Sequence, residues 1–191
     1  MLSPFIQKGL DELKANNLTP DAVAVSGGPG SYTGLRIGVS TAKGLCYGYD
    51  IPLIALDTLQ VMTESVLKAK ETETDALLCP MIDARRMEVY TALFNSKSET
   101  VKEVSAEVID EQFFQGVLAN NTVYFFGNGS DKCKSVITHP NALFISGIEP
   151  LAENMIRLAE DKFERNQFVD VAYFEPFYLK EFQATTPKKI F

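Results

Sequence analysis

The sequence predicts an α/β protein of two halves, each built around a largely parallel sheet. Short runs of consecutive apolar residues, typical of buried strands, alternate along the chain with segments whose apolar residues recur at helical spacing. Strands that alternate with helices favour parallel sheets, because each helix carries the chain back to the start of the next strand. A charged stretch over residues 68–75 separates the two sets, so we expect one domain over residues 1–74 and a second over residues 75–191.

Local signals define the elements of the first half. Apolar residues at helical spacing open the chain, and Asn16 and Asn17 end that helix. Asp57 and Gln60 form a capping-box pattern, which predicts a helix that begins after Asp57. The elements predicted in this half are a helix that begins at Leu2, a strand over residues 21–25, a helix over residues 32–47, a strand over residues 52–56 and a helix to about Lys70.

The second half opens with two long apolar runs on either side of Arg85 and Arg86, which predict two strands with a turn between them. Short apolar runs and amphipathic segments then continue to alternate. The elements predicted in this half are strands over residues 76–84 and 87–94, a helix over residues 110–119, a strand over residues 122–126, a loop over residues 127–130, a strand over residues 142–145 and a helix over residues 151–166.

Composition narrows the classes of function. The 191 residues include 25 acidic and 18 basic side chains, a net charge of −7, and such a surface repels the phosphate backbone of nucleic acids. The 3 cysteines are far apart, which is typical of reduced thiols and indicates neither a disulfide framework nor a metal site. We expect a soluble cytoplasmic protein, because the sequence has no apolar run of membrane-spanning length.

A glycine-rich loop, VSGGPGSYTGLRIG over residues 25–38, follows the first predicted strand and suggests a phosphate site. A P-loop requires Lys and then Ser or Thr after its last glycine, whereas Leu and Arg follow Gly34. The dinucleotide pattern fails as well, because Gly28, Gly30 and Gly34 are spaced by one residue too many. Backbone N–H groups at a helix start still leave weak anion binding open.

The helix after this loop carries small residues at regular spacing. Gly34, Gly38 and Ala42 lie four residues apart and share one helix face, with Thr41 and Leu45 beside them. Each interior glycine costs about 1 kcal/mol relative to alanine, so the spacing indicates close approach to another backbone. That backbone belongs either to this chain's own sheet or to a second protein, and the spacing does not distinguish the two.

The sequence offers no convincing catalytic constellation. His139 is the only histidine, which excludes a two-histidine zinc site, and no nucleophile and carboxylate accompany it in sequence. Asp83 is a candidate acid, but an aspartate at a strand end beside two arginines is at least as often a turn and ion-pair residue. We therefore expect no catalytic residue and no metal, and we expect Asp83 to pair with an arginine.

Two segments resemble the signatures of a known family. Residues 28–38, GPGSYTGLRIG, resemble the first signature of the TsaB (YeaZ) family, bacterial proteins of tRNA threonylcarbamoyladenosine synthesis. Residues 82–90, IDARRMEVY, resemble the second signature, at the start of the family's second domain. Residues 127–129 and 176–180 are weaker matches in the expected order, so the resemblance spans the whole chain.

The resemblance implies an actin-like, sugar-kinase-like (ASKHA) fold and the role of a non-catalytic scaffold. Members bind TsaD, the catalytic subunit, and with TsaE they support transfer of a threonylcarbamoyl group to the adenosine beside the anticodon. They have lost a working ATP site, so the resemblance implies no cofactor for this chain alone and leaves ATP or ADP to the assembled complex. It also implies that tRNA is reached only through the partner, and that the same surface can form a homodimer.

In the family, the first helix and the glycine-rich helix form the interface, and they correspond to residues 2–14 and 32–47 here. The interface residues that the resemblance implies are Leu2, Phe5, Ile6, Gly28, Pro29, Gly30, Ser31, Tyr32, Thr33, Gly34, Leu35, Arg36, Gly38, Thr41, Ala42 and Leu45. The residues that it implies for structural motifs are Asp83, Arg85, Glu88, Tyr90, Gly127, Gly129 and Tyr178.

One departure from the family is large. Members begin with an apolar strand and two further strands, whereas this sequence starts at the first helix, so the first domain is expected to be truncated at its N-terminus. We expect Met1 to be an internal methionine of a longer protein, or the chain to be truncated. The strand over residues 21–25 would then be an open sheet edge, which invites pairing with another chain.

Two other classes of protein stay open. One is a kinase-like phosphotransferase of the same superfamily, which requires phosphate loops and an acidic metal ligand from the strands that this sequence lacks. The other is a metallopeptidase, against which the single histidine argues. Bound zinc, or ATP turnover by the isolated protein, would separate both from the scaffold.

Overall fold

The computed structural model describes residues 2–69, 73 and 75–180, and these form an α/β structure. Its elements are, in chain order, α1 (Leu2–Ala15), β1 (Val23–Gly28), α2 (Tyr32–Tyr49), β2 (Leu53–Asp57), α3 (Thr58–Ala69), β3 (Leu77–Asp83), β4 (Glu88–Phe94), β5 (Thr100–Val108), α4 (Gln115–Leu118), β6 (Val123–Phe126), α5 (Ser130–Cys133), β7 (Ala142–Ile145), a 3-10 turn (Ala152–Asn154) and α6 (Ile156–Glu164).

Two sheets organise the described residues. The first contains β1 and β2, which are parallel and pair from Val23 opposite Leu53 to Gly28 opposite Asp57. Within the described residues β1 therefore has an open edge, as the sequence predicts. The second sheet has 5 strands in the order β5-β4-β3-β6-β7. Strands β3, β6 and β7 are parallel, whereas β4 and β5 are antiparallel to their neighbours.

The turn between β3 and β4 makes this part of the sheet antiparallel. Arg85 and Arg86 both adopt left-handed conformations, with φ of 73° and 51°. The Asp83 carboxylate accepts a hydrogen bond from the Arg85 N–H at 2.9 Å, which stabilises the turn at the end of β3. A tight turn joins antiparallel strands directly, whereas parallel strands require a long crossover. The predicted turn at the two arginines is confirmed.

Strand β5 is absent from the sequence prediction. It lies at the edge of the second sheet, and most of its residues are exposed or half-buried. Lys102, Glu103 and Glu107 interrupt the apolar alternation by which a strand is detected. Charged side chains on an edge strand discourage pairing with other chains. The same charged residues break the apolar pattern of β5, which is why the sequence does not predict this strand.

Two predicted helices are shorter than expected. Within residues 110–119 the only helix is α4. Before it, the Asp110 carboxylate accepts hydrogen bonds from the N–H groups of Gln112 and Phe113, both at 2.9 Å, which stabilise a local turn. The helix predicted over residues 151–166 is divided into the 3-10 turn and α6. Part of the loop predicted after β6 is the short helix α5.

The first strand and the capping box also differ in detail. Strand β1 begins later than predicted and runs into the glycine loop as far as Gly28, because its pairing with β2 continues to Asp57. The Gln60 N–H donates to Asp57 Oδ1 at 2.9 Å, which confirms the predicted cap of α3. The Gln60 side chain does not return to the cap but donates to the carbonyl of Ser98 at 3.2 Å. The predicted helix end at Lys70 lies outside the described residues.

Helix α3 contributes to the cores on both sheets. Its Leu59 and Met62 pack with Leu78 of the second sheet, whereas its Val61 packs with Ile54 of the first. Helix α6 and the segment that follows it pack back onto the first sheet through Leu158 and through residues 169–174. Residues after position 150 thus complete the core around β1 and β2. The domain boundary at residues 74 and 75 stays a prediction.

The three cysteines at positions 46, 79 and 133 are free thiols, as the sequence predicts, and all three are buried. Complete burial raises the pKa of the Cys79 thiol to about 12, so it stays protonated and unreactive at neutral pH. Within the described residues, none of the helices combines the length and apolar character needed to cross a bilayer.

Candidate protein-interaction surface

The glycine loop ends in a capped helix start. Ser31 has φ of −60° and ψ of 122°, the extended conformation usual at an N-cap, and its side chain accepts a hydrogen bond from the Gly34 N–H at 3.3 Å. The loop therefore begins α2 in the predicted place, at Tyr32. The helix continues to Tyr49, slightly beyond its predicted end.

Gly28 is required by a contact within the chain. Its φ is 118°, a conformation that side chains rarely adopt, and a Cβ placed there would lie 2.6 Å from the carbonyl oxygen of Phe177. The neighbouring Gly27 is almost as close to another residue of that segment, since its Cβ would lie 3.2 Å from Cζ of Phe174. The chain's own residues 174–177 thus approach these glycines, with a ring carbon at Gly27 and a backbone carbonyl at Gly28, and the close approach requires no phosphate group.

One face of α2 packs on the chain's own sheet. Leu35, Val39, Ala42 and Cys46 are buried, and a Cβ on Gly38 would lie 3.9 Å from a methyl group of Val25 in β1. For the stripe that includes Gly38 and Ala42, the structure thus supports packing against this chain's own sheet. Buried residues are not available to a partner, which corrects the predicted interface at Gly28, Pro29, Leu35 and Ala42.

The opposite face of α2 is exposed. Ile37 is 53% exposed and Tyr47 is 87% exposed. Between them lies Gly44, where an added Cβ would meet no atom within 4 Å. The residues that share this outer face of α2 at helical spacing are Thr33, Ile37, Ser40, Gly44 and Tyr47. Except for Thr33, the sequence prediction missed them, because small residues occur on both faces of the helix.

Helix α1 also exposes apolar side chains. None of its residues is buried, and Phe5 is 76% exposed. Leu2 is exposed and Ile6 is half-buried, so the predicted interface residues of this helix are accessible. The apolar side of an amphipathic helix normally faces a core. In α1 it faces solvent in large part, which is typical of a surface that binds another molecule.

The second signature lies at a cleft beside the start of α2. Residues 29–33, 82–85 and 177–180 line a cavity of about 500 Å³, together with Tyr90 and Asn128. Asn128 accepts a hydrogen bond from the Asp83 N–H through its side-chain oxygen at 2.9 Å. The motif residues Tyr90 and Tyr178 thus line the same cavity as the glycine loop.

Asp83 pairs with a lysine, and the predicted arginine partner is wrong. Its carboxylate forms an ion pair with Lys132 of α5, whose ammonium also donates to the carbonyl of Glu88 at 2.6 Å. The hydrogen bond from Lys132 is the main cause that holds the pKa of Asp83 below its usual value. Glu88 in turn pairs with Lys180. Both carboxylates of the signature are engaged in contacts that join separate segments of the chain.

The two glycines of the weaker match over residues 127–129 also occupy tight positions. A Cβ on Gly129 would lie 2.9 Å from the carbonyl carbon of Ile82, and a Cβ on Gly127, whose φ is 93°, would lie 2.5 Å from the Met81 carbonyl oxygen. These approaches fit the structural role expected for both glycines. Among the described residues, no three His, Cys, Asp or Glu side chains are grouped so as to hold a metal ion.

Comparisons with known proteins agree in pointing to one family. The family model described as "TsaD: tRNA N6-adenosine threonylcarbamoyltransferase" matches residues 1–188. The Escherichia coli tRNA threonylcarbamoyladenosine biosynthesis protein TsaB is 30% identical over 186 residues, which cover 93% of this chain and 78% of that protein. Its Bacillus subtilis counterpart is 43% identical over 82 residues, 43% of this chain and 34% of that protein, so this match spans about a third of the relative.

Solved structures support the fold. A Pseudomonas aeruginosa protein described as having similarity to peptidase YeaZ superposes with a TM-score of 0.77 at 24% identity, over 94% of this chain and 82% of that chain. The YeaZ structure from the same organism gives a TM-score of 0.75, over 93% and 83% of the two chains. This likeness, with the family match, confirms the actin-like, sugar-kinase-like (ASKHA) fold that the resemblance implied.

Proposed function

The chain belongs to the TsaB (YeaZ) family, within the wider group of TsaD-type domains, and we propose that it acts in tRNA threonylcarbamoyladenosine synthesis by binding a TsaD-type transferase. In this role the chain supplies a docking surface, and the partner supplies the chemical step. TsaE is proposed to join the assembled complex.

The observation that carries this proposal is the exposed outer face of α2. Ile37 and Tyr47 present apolar surface, and Gly44 between them leaves room for another backbone to approach. Aromatic residues such as Tyr47 are enriched at protein interfaces relative to the rest of the surface. Helix α1 adds Phe5, so two helices of the first half offer apolar surface to a partner.

The contacts of the signature residues support a scaffold rather than a catalyst. Gly28, Gly127 and Gly129 accommodate backbone from elsewhere in the chain, and the Asp83 carboxylate is occupied by Lys132 and by the turn after β3. A general acid must reach its substrate, and its pKa is usually raised toward neutrality. The pKa of Asp83 is shifted the other way, which favours a permanently ionised structural carboxylate.

The charge of the chain supports indirect contact with tRNA. A net charge of −7 disfavours binding to a polyphosphate backbone, so the partner is proposed to hold the tRNA. No nucleotide cofactor is proposed for this chain alone, because its glycine loop lacks the Lys and Ser or Thr of a P-loop and is occupied by the C-terminal segment.

Substitution of Gly44 by Phe tests the proposal. A Phe ring at this position fills the space that a partner backbone would enter, so we expect the dissociation constant for the TsaD-type partner of the same cell to rise at least about tenfold. The measurement is titration calorimetry with the two purified proteins. An added Cβ at this exposed position meets no atom of its own chain within 4 Å, so the melting temperature should not fall.

Gly116→Phe in α4 is the matched control, because an added Cβ there also meets no atom within 4 Å but lies in the other half. It should leave binding unchanged. Equal affinity of wild type and Gly44→Phe would contradict the proposed surface. Sedimentation of the chain alone tests the homodimer, which Gly44→Phe should dissociate if the two associations use the same face.

A further inference from the structure

We infer that residues 169–180 form a strap, which crosses the first sheet and holds the first turn of α2 against the hairpin of β3 and β4. The segment has no regular secondary structure over most of its length, so its position depends on individual contacts with the rest of the chain. Such a strap would act within the folded chain alone, whatever partner the chain binds.

The strap begins on the first sheet. Val169 donates its N–H to the carbonyl of Leu53 at 2.9 Å and forms an isolated antiparallel bridge with it. Lys43 of α2 then holds the next residues, since its ammonium donates to the carbonyls of Ala172 at 2.9 Å and Phe174 at 3.1 Å. The start of the strap is thus attached both to β2 and to the middle of α2.

The middle of the strap passes over the end of β1. The Phe177 N–H donates to the carbonyl of Gly27 at 2.7 Å. The Phe177 carbonyl then lies so close to Gly28 that a Cβ there would be 2.6 Å away. Only glycine fits beneath the strap at this point. The strap thus explains why the loop has glycine at position 28.

The end of the strap contacts the first turn of α2. The ring of Tyr178 stacks on that of Tyr32, with centroids 4.4 Å apart and planes at 29°. Arg36 lies over the Tyr32 ring at 4.3 Å and donates to its hydroxyl at 2.8 Å. A hydrogen bond with Tyr178 is the main cause that raises the pKa of Arg36, so the three side chains form one cluster.

The last described residue joins this cluster to the β3–β4 hairpin. Lys180 pairs with Glu88, the first residue of β4. Residues 177–180 therefore form a wall of the 500 Å³ cleft between the glycine loop and the β3–β4 hairpin. Release of the strap would remove that wall and the link that Tyr178 and Lys180 make between the first turn of α2 and the β3–β4 hairpin.

Amide hydrogen exchange of the intact protein tests the strap. In Tyr178→Ala, exchange over residues 28–36 and 83–90 should accelerate by about tenfold, as expected for loss of an aromatic stack that limits a local opening. Residues 123–126 of β6 lie in the core and should exchange as in wild type. Tyr178→Phe keeps the ring, so it should restore most of the protection.

Two further variants complete the test. Tyr173→Ala changes an 84% exposed ring of the same segment and should match wild type. Lys180→Gln removes the ammonium that pairs with Glu88 and should accelerate exchange over residues 83–90 even if Tyr178→Ala does not fold. Unchanged exchange at residues 28–36 and 83–90 would overturn the strap. An equal increase in β6 would also overturn it, because a uniform change reports only the stability of the whole fold.

Discussion

Gly28 illustrates, at the scale of one residue, how a family signature can have a structural cause. Glycine motifs before a helix are commonly associated with phosphate groups, because backbone N–H groups point at the ligand. In this chain the space beside Gly28 is filled by the carbonyl of Phe177. Glycine is needed here because φ is positive and because the backbone of Phe177 lies directly against it.

The first prediction concerns this position. Gly28→Ala should lower the free energy of unfolding by at least about 2 kcal/mol, from backbone strain and from collision with the Phe177 carbonyl. Gly44→Ala, in the exposed middle of α2, should instead raise it by about 0.5–1 kcal/mol, because alanine favours the helix. Urea denaturation measures both. If the two substitutions changed the free energy of unfolding equally, the close approach of Phe177 would not be what requires glycine at position 28.

Helix α2 shows, at the scale of an element, that one sequence pattern can serve two faces. Gly34, Gly38 and Ala42 are spaced like an interface stripe, yet the latter two face β1. Ser40, Gly44 and Gly48 have the same spacing and face solvent. A helix with small residues on both sides can approach its own sheet closely and still leave a shallow outer surface for a partner.

The second prediction separates these faces. Val39→Ala removes buried methyl groups from the inner face and should lower the free energy of unfolding by about 2 kcal/mol. Ile37→Ala on the outer face should change it by less than about 0.5 kcal/mol but weaken partner binding. Denaturation and calorimetry give the two readouts. If Ile37→Ala destabilised the isolated chain as much as Val39→Ala, the outer face would not be a free surface.

At the scale of the whole molecule, late parts of the chain hold the first sheet in place. Helix α6 lies against β2 through Leu158, and its Lys162 donates to the carbonyl of Ala55 at 2.8 Å. Arg157 of α6 binds Glu64 of α3 with two hydrogen bonds, of which the Nε bond is 2.7 Å. Glu64 is only 9% exposed, so the arginine neutralises a carboxylate that is largely removed from water.

The third prediction concerns this ion pair. Arg157→Ala leaves the Glu64 carboxylate without its cation and should lower the free energy of unfolding by about 1–2 kcal/mol, moderated because Arg157 is itself 55% exposed. Arg165→Ala removes only a loose surface contact with Asp161 and should change it by less than about 0.5 kcal/mol. Thermal or urea unfolding distinguishes them. Comparable effects would mean that Glu64 remains solvated without its partner.

The sequence by itself determined the α/β class, the family, the extents of α1 and β7 and the cap of α3, because periodicity, side-chain hydrogen bonds and motif order are local properties. The tertiary structure alone decided which face of α2 is buried, that Lys132 rather than an arginine binds Asp83, and that β5 forms an edge. Each of these depends on residues far apart in sequence. Spacing within a segment specifies which side chains share a face, but only the packing of distant segments decides what that face meets.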